Sequence, residues 1–307
     1  MKKYSRREAS KLMLCASAGT IMSPSLMSYA EDGLKKRKIP SSGELLPIVG
    51  LGTWQSFDVG SDQTARARLK EVLTCMKDYG GTCIDSSPMY GSSERVVGDL
   101  TKALGMQDHF FYATKVWTSG RQSGIDQMQR SMHNMGRSQM DLMQIHNLID
   151  WKEHIKTLKD WKERKKIRYW GITHYTNSSH ETLAKLIQNE KPDFVQFNYS
   201  INQRNAEKRL LGTAHDHGVA VIINRPYAGG SLFRKTRGKS LPPWCKEQEI
   251  NSWGQFFLKY ILAHSAVNLV IPGTSKPHHM VDNLKAGIGR LPDKETKAKM
   301  VSLLADM

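Results

Sequence analysis

A chain of 307 residues, 39% of them hydrophobic, can bury a large core, and its length alone admits one big α/β domain or two smaller ones. No linker rich in Pro, Gly or Ser and no internal repeat interrupts 44–290, which argues against two. The formal charge of +16 comes from scattered Lys and Arg; the densest runs, Lys35-Lys36-Arg37-Lys38 and Lys162 to Arg168, carry no interleaved aromatics, so a nucleic-acid stacking platform is disfavoured and a solvated basic face favoured.

The first thirty residues differ in kind. Lys2, Lys3, Arg6, Arg7 and Lys11 make a basic start, Leu12 to Met22 is weakly apolar, and Ser28-Tyr29-Ala30 ends in the small-x-small pattern a signal peptidase accepts. Residues 1–30 therefore read as a signal peptide and 31–307 as the mature domain; the alternative is a disordered basic tail. The apolar run is too short to span a membrane, so no stable insertion is expected. Ser5-Arg6-Arg7 resembles the twin-arginine export signal of bacteria, although Ala9 and Ser10 stand where that signal usually has a bulky pair. This predicts a periplasmic protein whose partners include the twin-arginine export machinery, or a cytoplasmic one if the leader is not functional. Leu14 before Cys15 argues against a lipoprotein cleavage site. The remaining Cys75, Cys83 and Cys245 suggest neither a disulfide framework nor a zinc site, as suits a chain that folds in a reducing cytosol.

Next in the chain, Lys38-Ile39-Pro40 and Leu45-Leu46-Pro47 flank Ser41-Ser42-Gly43, which predicts a β-hairpin able to cap one end of the fold. From residue 48 short apolar runs alternate with amphipathic stretches. The runs predict strands at Ile48 to Thr53, Thr82 to Asp85, Phe110 to Lys115, Asp141 to His146, Ile167 to Thr173, Phe194 to Asn198, Val219 to Asn224 and Leu269 to Ile271. Between them lie helical patterns at Ala65 to Tyr79, Gly124 to Met135, Trp151 to Lys165, His180 to Gln188, Ala206 to His217 and Asn251 to Ala263. Eight such units over roughly 250 residues have the rhythm of a (β/α)₈ TIM barrel. No G-x-G-x-x-G follows the first strand, which disfavours an open doubly wound sheet. After the seventh barrel strand a long irregular segment, Pro226 to Lys246, holds Gly229-Gly230 and Pro242-Pro243; loops of that length are usually functional.

A barrel of this kind carries its active site at the C-terminal ends of its strands. Asp85 ends the second, Lys115 the third and His146 the fourth, and Tyr90 stands in the loop after Asp85. Singly, each has an ordinary role: a turn or helix cap, a rim charge, a satisfied core histidine, a packed ring. Together they suit proton donation to a carbonyl oxygen. A phenol with a reference pKa near 10 needs help to release its proton near neutral pH. Lys115 would lower that pKa, Asp85 would hold Lys115 charged, and His146 would orient the oxygen.

The stretches I-D-S-S-P-M-Y-G-S-S-E, A-T-K and M-D-L-M-Q-I-H resemble the aldo-keto reductase superfamily, and the likeness runs from V-G-L-G-T-W at 49–54 through I-P-G-T-S-K-P at 271–277. The resemblance implies hydride transfer between a nicotinamide cofactor, NADP (NADPH) ahead of NAD, and the carbonyl of a small aldehyde or ketone, with Tyr90 as general acid and base. It places Gly52, Thr53 and Trp54 beside the cofactor, and Gln196, Thr173 and His174 on the nicotinamide carboxamide. Thr173 and His174 replace the family's usual Ser-Asn. It also places Gly273, Thr274, Ser275, Lys276 and His279 around the adenosine phosphate, and Asp282 and Asn283 on the adenine. Here Gly273 and His279 stand where the family often has Lys and Arg. At the seventh strand Asn224 and Arg225 replace the usual aromatic residue that stacks on the nicotinamide. Arg225 could stack in its stead or clamp the pyrophosphate.

Trp54, Trp117 and Asn147 occupy positions that resemble substrate-pocket walls, the tryptophans having simple packing as their alternative. His215-Asp216-His217 suggests a metal at first sight, but its place at a helix end favours capping or exposure, and no metal is expected. The competing function is a cofactor-bound redox sensor or binding protein with little turnover. Export adds an expectation of its own. With no supply of reduced cofactor outside the cytoplasm, the nucleotide would be loaded first, held by the 226–246 loop and recycled between two substrates.

Overall fold

The computed structural model describes residues 33–307; the expected leader and Cys15 lie outside them. Strand β1 (Lys36–Lys38) pairs antiparallel with β2 (Leu45–Pro47), Arg37 opposite Leu46, as the hairpin pattern predicts. The turn closes on Ile39, whose carbonyl accepts from Ser42 N and Gly43 N, and Gly43 takes a positive φ of 78° that a side chain would oppose.

Eight strands follow, all parallel and paired in chain order. They are β3 (Leu51–Gly52), β4 (Cys83–Asp85), β5 (Phe111–Val116), β6 (Met140–His146), β7 (Ile167–Thr173), β8 (Phe194–Asn198), β9 (Ala220–Asn224) and β10 (Leu269–Val270). Parallel bridges from Val49 to Val270 and from Gly52 to Gly273 join the first to the last, so the sheet closes into the expected (β/α)₈ barrel. The first barrel strand is shorter than Ile48 to Thr53, being regularly paired only at Leu51–Gly52. A Cβ on Gly50 would press on the carbonyl of Cys83 and one on Gly52 on that of Ile271, so the two glycines let the first barrel strand approach β4 on one side and the seam on the other.

Outside the barrel lie α1 (Gln63–Asp78), α2 (Ser93–Ala103), α3 (Arg121–Asn134), α4 (Trp151–Glu163), α5 (His180–Glu190), α6 (Leu210–Asp216), α7 (Ser231–Lys235), α8 (Trp244–Glu247), α9 (Trp253–Leu262), α10 (Pro277–Lys285) and α11 (Lys294–Ala305). Asp62, Ser252 and Asp293 cap α1, α9 and α11 through side-chain oxygens, satisfying amides with no helical partner. Among the described residues no helix is long and apolar enough to cross a membrane.

Two apolar clusters hold the fold. The larger lies between strands and helices. The smaller fills the lower lumen, where Phe111, Leu142, Tyr169, Phe194 and Ile222 are plugged from below by Ile39 and Leu46 of the hairpin. Arg168 locks the plug, donating to Asp141 and to Glu44. The basic run is solvated as expected, with Glu163 to Lys166 exposed, and it is also partly paired, Lys162 reaching Asp193 and Arg164 reaching Asp160.

The 226–246 segment is not irregular throughout. It folds into α7 and α8, and Phe233 of α7 packs its ring on Tyr227 at 4.7 Å and on Phe257 of α9 at 5.6 Å. Ring-on-ring contact anchors this segment although Phe233 itself stays partly exposed, and a turn-residue count does not register that contribution.

Candidate active site

Alternation along a strand decides what the lumen holds. On β5 the inward series is Phe111, Ala113, Lys115, and on β6 it is Leu142, Gln144, His146. Their first members belong to the apolar lumen cluster. Towards the C-terminal ends of β4 to β8 the inward residues are buried and polar: Asp85, Lys115, Gln144, His146, Thr173 and Gln196. A polar layer shut away from water must satisfy itself. Lys115 Nζ donates to Asp85 Oδ2 at 2.5 Å and to Ser86 O at 2.6 Å, both residues of the pair being almost wholly buried. Asp85 Oδ1 accepts from Gln144 Nε2 and Gln196 Nε2, each at 2.9 Å. Gln196 Oε1 in turn accepts from Thr173 Oγ1 and Asn224 Nδ2 at 3.3 Å. Thr53 Oγ1 donates to Asp85 O, so the barrel seam is tied to the same centre.

Tyr90 comes from the turn after β4, its amide donating to Ser87 O at 3.0 Å. Lys115 Nζ lies 5.0 Å from the centre of its ring. The expectation that Lys115 lowers the phenol pKa holds for the direction of its own influence and fails for the sum. Burial raises the Tyr90 pKa, Asp85 adds to the rise, and the charge and hydrogen bond of Lys115 oppose them without winning. The resting phenol is therefore a proton carrier. For Lys115 burial disfavours the charge, but Asp85 and Tyr90 outweigh it and raise the pKa above the ordinary lysine value. His146 meets Tyr90 edge-on at 5.8 Å. Burial first, then the charge of Lys115, lowers its pKa to about 2, so the ring is neutral.

These groups open into a cavity of about 580 Å³. Of the predicted residues, Gly52, Thr53, Trp54, Asp85, Tyr90, Trp117, His146, Asn147, Thr173, Gln196, Asn224, Arg225 and Gly273 line it, whereas Lys115, fully buried against Asp85, does not. His174 does not; its Nδ1 accepts from Tyr175 N and Thr176 N, which turns the ring to the service of its own loop. Thr274, Ser275, Lys276 and His279 also lie beyond the lining, at the start of α10. Asp282 does not face the cavity but accepts from Ser252 Oγ and Gln255 Nε2 at the start of α9, and Asn283 is buried and accepts from Tyr227 Oη. Both residues expected at the adenine thus also have hydrogen-bond partners within the fold.

Several lining residues were not anticipated. Met89 and Tyr175 join Trp54 and Trp117 in an exposed apolar rim, whereas Tyr227, Gly229 and Gly230 come from the 226–246 segment already expected to border the nucleotide. Gln144 had a visible signal, since it stands two residues before His146 on the same strand face. Arg225 sits at a positive φ of 49°, strained backbone for a non-glycine residue, and its guanidinium lies 5.5 Å from the centre of the Tyr175 ring. His215 bonds Asp216 and His217 bonds Thr213 O, a helix-end arrangement.

The cavity suits a flat ring bearing a carboxamide. Asn224 Oδ1 is buried with no donor, while Asn224 Nδ2 is engaged by His174 O and Gln196 Oε1, so an unmet acceptor stands beside Thr173 and Gln196. Gly229 and Gly230, both at positive φ, bring bare backbone to the cavity edge, where an anionic group could approach closely.

Comparison with known proteins agrees with this geometry. Residues 48–300 match the model of the Aldo/keto reductase family. Methylglyoxal reductase YeaE of Escherichia coli (strain K12) is 25% identical over 258 residues, covering 81% of this chain and 89% of that protein. L-glyceraldehyde 3-phosphate reductase of the same strain is 24% identical over 307 aligned positions, covering 82% and 87%. An aldo/keto reductase from Klebsiella pneumoniae, solved with NADP and acetate, superposes with a TM-score of 0.73 at 23% identity over 85% of this chain and 93% of that one.

Proposed function

The chain belongs to the aldo/keto reductase family, and from that premise we propose that it reduces the carbonyl of a small aldehyde or ketone with NADPH, NADH being the poorer donor. Thr173, Gln196 and Asn224 would hold the nicotinamide amide, Gly229 and Gly230 the phosphates, and Ser275 and Lys276, both exposed, the 2′-phosphate. When bound, the cofactor supplies the hydride.

The chain's own residues supply the rest. His146, neutral, orients the carbonyl oxygen over Tyr90. As negative charge gathers on that oxygen, Tyr90 transfers its proton to it, and the phenolate left behind faces Lys115. Asp85 keeps Lys115 charged and in place. The observation that carries this proposal is the buried Lys115–Asp85 pair set behind a protonated Tyr90. Catalysis is helped most where a fixed charge faces the charge that develops.

Tyr90→Phe tests it. The variant should bind NADPH as the parent does and reduce small aldehydes about 10²- to 10⁴-fold more slowly, the range of a positioned acid. Undiminished turnover would remove Tyr90 from the mechanism. The proposed periplasmic location rests on the basic, apolar and small-x-small pattern of residues 1–30. Fractionation of a strain lacking twin-arginine export checks it, since the full-length precursor should then stay in the cytoplasm.

A further inference from the structure

We infer that Ser87 is a positioning residue that fixes the imidazole proton of His146 on Nε2, aimed at the carbonyl oxygen. The inference deepens the reductase reading, on which its functional arm rests. Ser87 is fully buried. Its Oγ lies 3.0 Å from His146 Nδ1 and accepts from Met89 N at 3.3 Å. A hydroxyl has one proton to give. With Met89 N–H already occupying a lone pair, the acceptor within reach of that proton is His146 Nδ1.

The opposite tautomer fails on two counts. With the proton on Nδ1, Ser87 Oγ would accept from both Met89 N and His146, and its own buried hydrogen would have no acceptor. His146 Nε2 would then present a bare lone pair to a carbonyl oxygen, two acceptors facing each other. With the proton on Nε2, Ser87, His146 and the substrate oxygen form one chain of donors in a single direction.

Ser87 also holds the second proton carrier. Its carbonyl accepts from Tyr90 N at 3.0 Å, so one residue sets the tautomer of His146 through its side chain and the turn bearing Tyr90 through its backbone. The six residues from Asp85 to Tyr90 thus carry the anchor of Lys115, the orienter of His146 and the acid itself. Because burial and Lys115 keep His146 neutral, the choice between its two tautomers is a real one.

The test uses the mature chain labelled with ¹⁵N-histidine. In the parent protein His146 should show a protonated Nε2 and an unprotonated Nδ1, and a proton on Nδ1 overturns the inference without any variant. Ser87→Ala should give a mixed or inverted tautomer and lower kcat/KM about 10- to 100-fold while NADPH affinity stays within about twofold, less than the roughly 10²- to 10³-fold cost of losing one oriented donor outright, because the imidazole is misoriented and not removed. Ser87→Thr, which keeps the hydroxyl, should restore the Nε2 tautomer. A Ser87→Ala protein with unchanged tautomer and kcat/KM refutes the assignment. Tautomer signals need no turnover, so a failure here is distinguishable from a failure of the Tyr90→Phe prediction.

Discussion

Lys115→Met separates what the buried pair does for stability from what it does for the reaction. The substitution keeps the stem and removes the charge, leaving Asp85 facing only Gln144 and Gln196. Removing one partner of a buried ion pair costs about 3–5 kcal/mol, and for a domain of this size the melting temperature should fall by about 10 °C. The kinetic cost has a different origin. At the 5.0 Å between Nζ and the centre of the Tyr90 ring, unit charges in an effective dielectric of about 20 interact by about 3 kcal/mol. That stabilisation is realised as the phenol becomes phenolate, so its loss slows the step about 10²-fold. Single-turnover oxidation of NADPH by a small aldehyde reads the step directly. The double variant Lys115→Met/Asp85→Asn has no orphaned charge and should recover most of the stability and none of the rate. Should folded Lys115→Met transfer hydride within about threefold of the parent, the electrostatic account of Tyr90 is wrong.

Other consequences follow from the same structure. Burial drives the His146 pKa to about 2, below the roughly 6.5 of an unfolded imidazole; a depressed folded pKa gives stability that is full above about pH 6.5 and lost as pH falls from there. That group alone costs about 1.4 kcal/mol per pH unit below this point, and His180 and His264, lowered first by burial, act in the same direction. Denaturant midpoints at pH 7 and pH 5 check it, and equal midpoints would count against the burial argument. Gly98→Ala would drive a Cβ into Asn134 O and within 2.9 Å of Met135 Cα where α2 crosses the end of α3. Backbone cannot yield as a side chain can, so a loss of about 1–3 kcal/mol is expected by chemical denaturation. Arg225 forms no ion pair among the described residues and leans on Tyr175 at the cavity edge. Arg225→Ala should weaken NADPH binding about tenfold, with a smaller salt dependence, by fluorescence titration; an unchanged Kd would assign Arg225 to the rim alone.

The barrel was legible because its strands are buried on both faces and read as short apolar runs. Ile167–Thr173 and Phe194–Asn198 fall on the predicted bounds. What escaped was helix wherever periodicity was masked. Ser93–Ala103 begins within the motif that drew attention to Tyr90, and Ser231–Lys235 is too short to show a period. Its anchor is an aromatic contact with α9 some two dozen residues on, a tertiary fact with no local trace.

The site divides along the same line. Asp85, Lys115 and His146 are placed by covalent geometry, since a residue two positions beyond an inward residue also points inward, and three neighbouring parallel strands then deliver all three to one layer. His174 and Arg225 stand on loops and Asp282 on the outer helix α10, where packing beyond the strands decides what a side chain meets. His174 is spent on its own turn and Asp282 on the N-terminus of α9. The sign of the Tyr90 shift marks the same boundary. Lys115 could be expected to draw the phenol toward ionisation, but how deeply the ring is buried is a property of the packed barrel, and burial outweighs the charge. For a general acid that outcome is useful. A phenol already ionised at rest would have no proton to give, whereas one kept protonated by burial, beside a cation held in reserve, releases it only when the substrate oxygen begins to claim it.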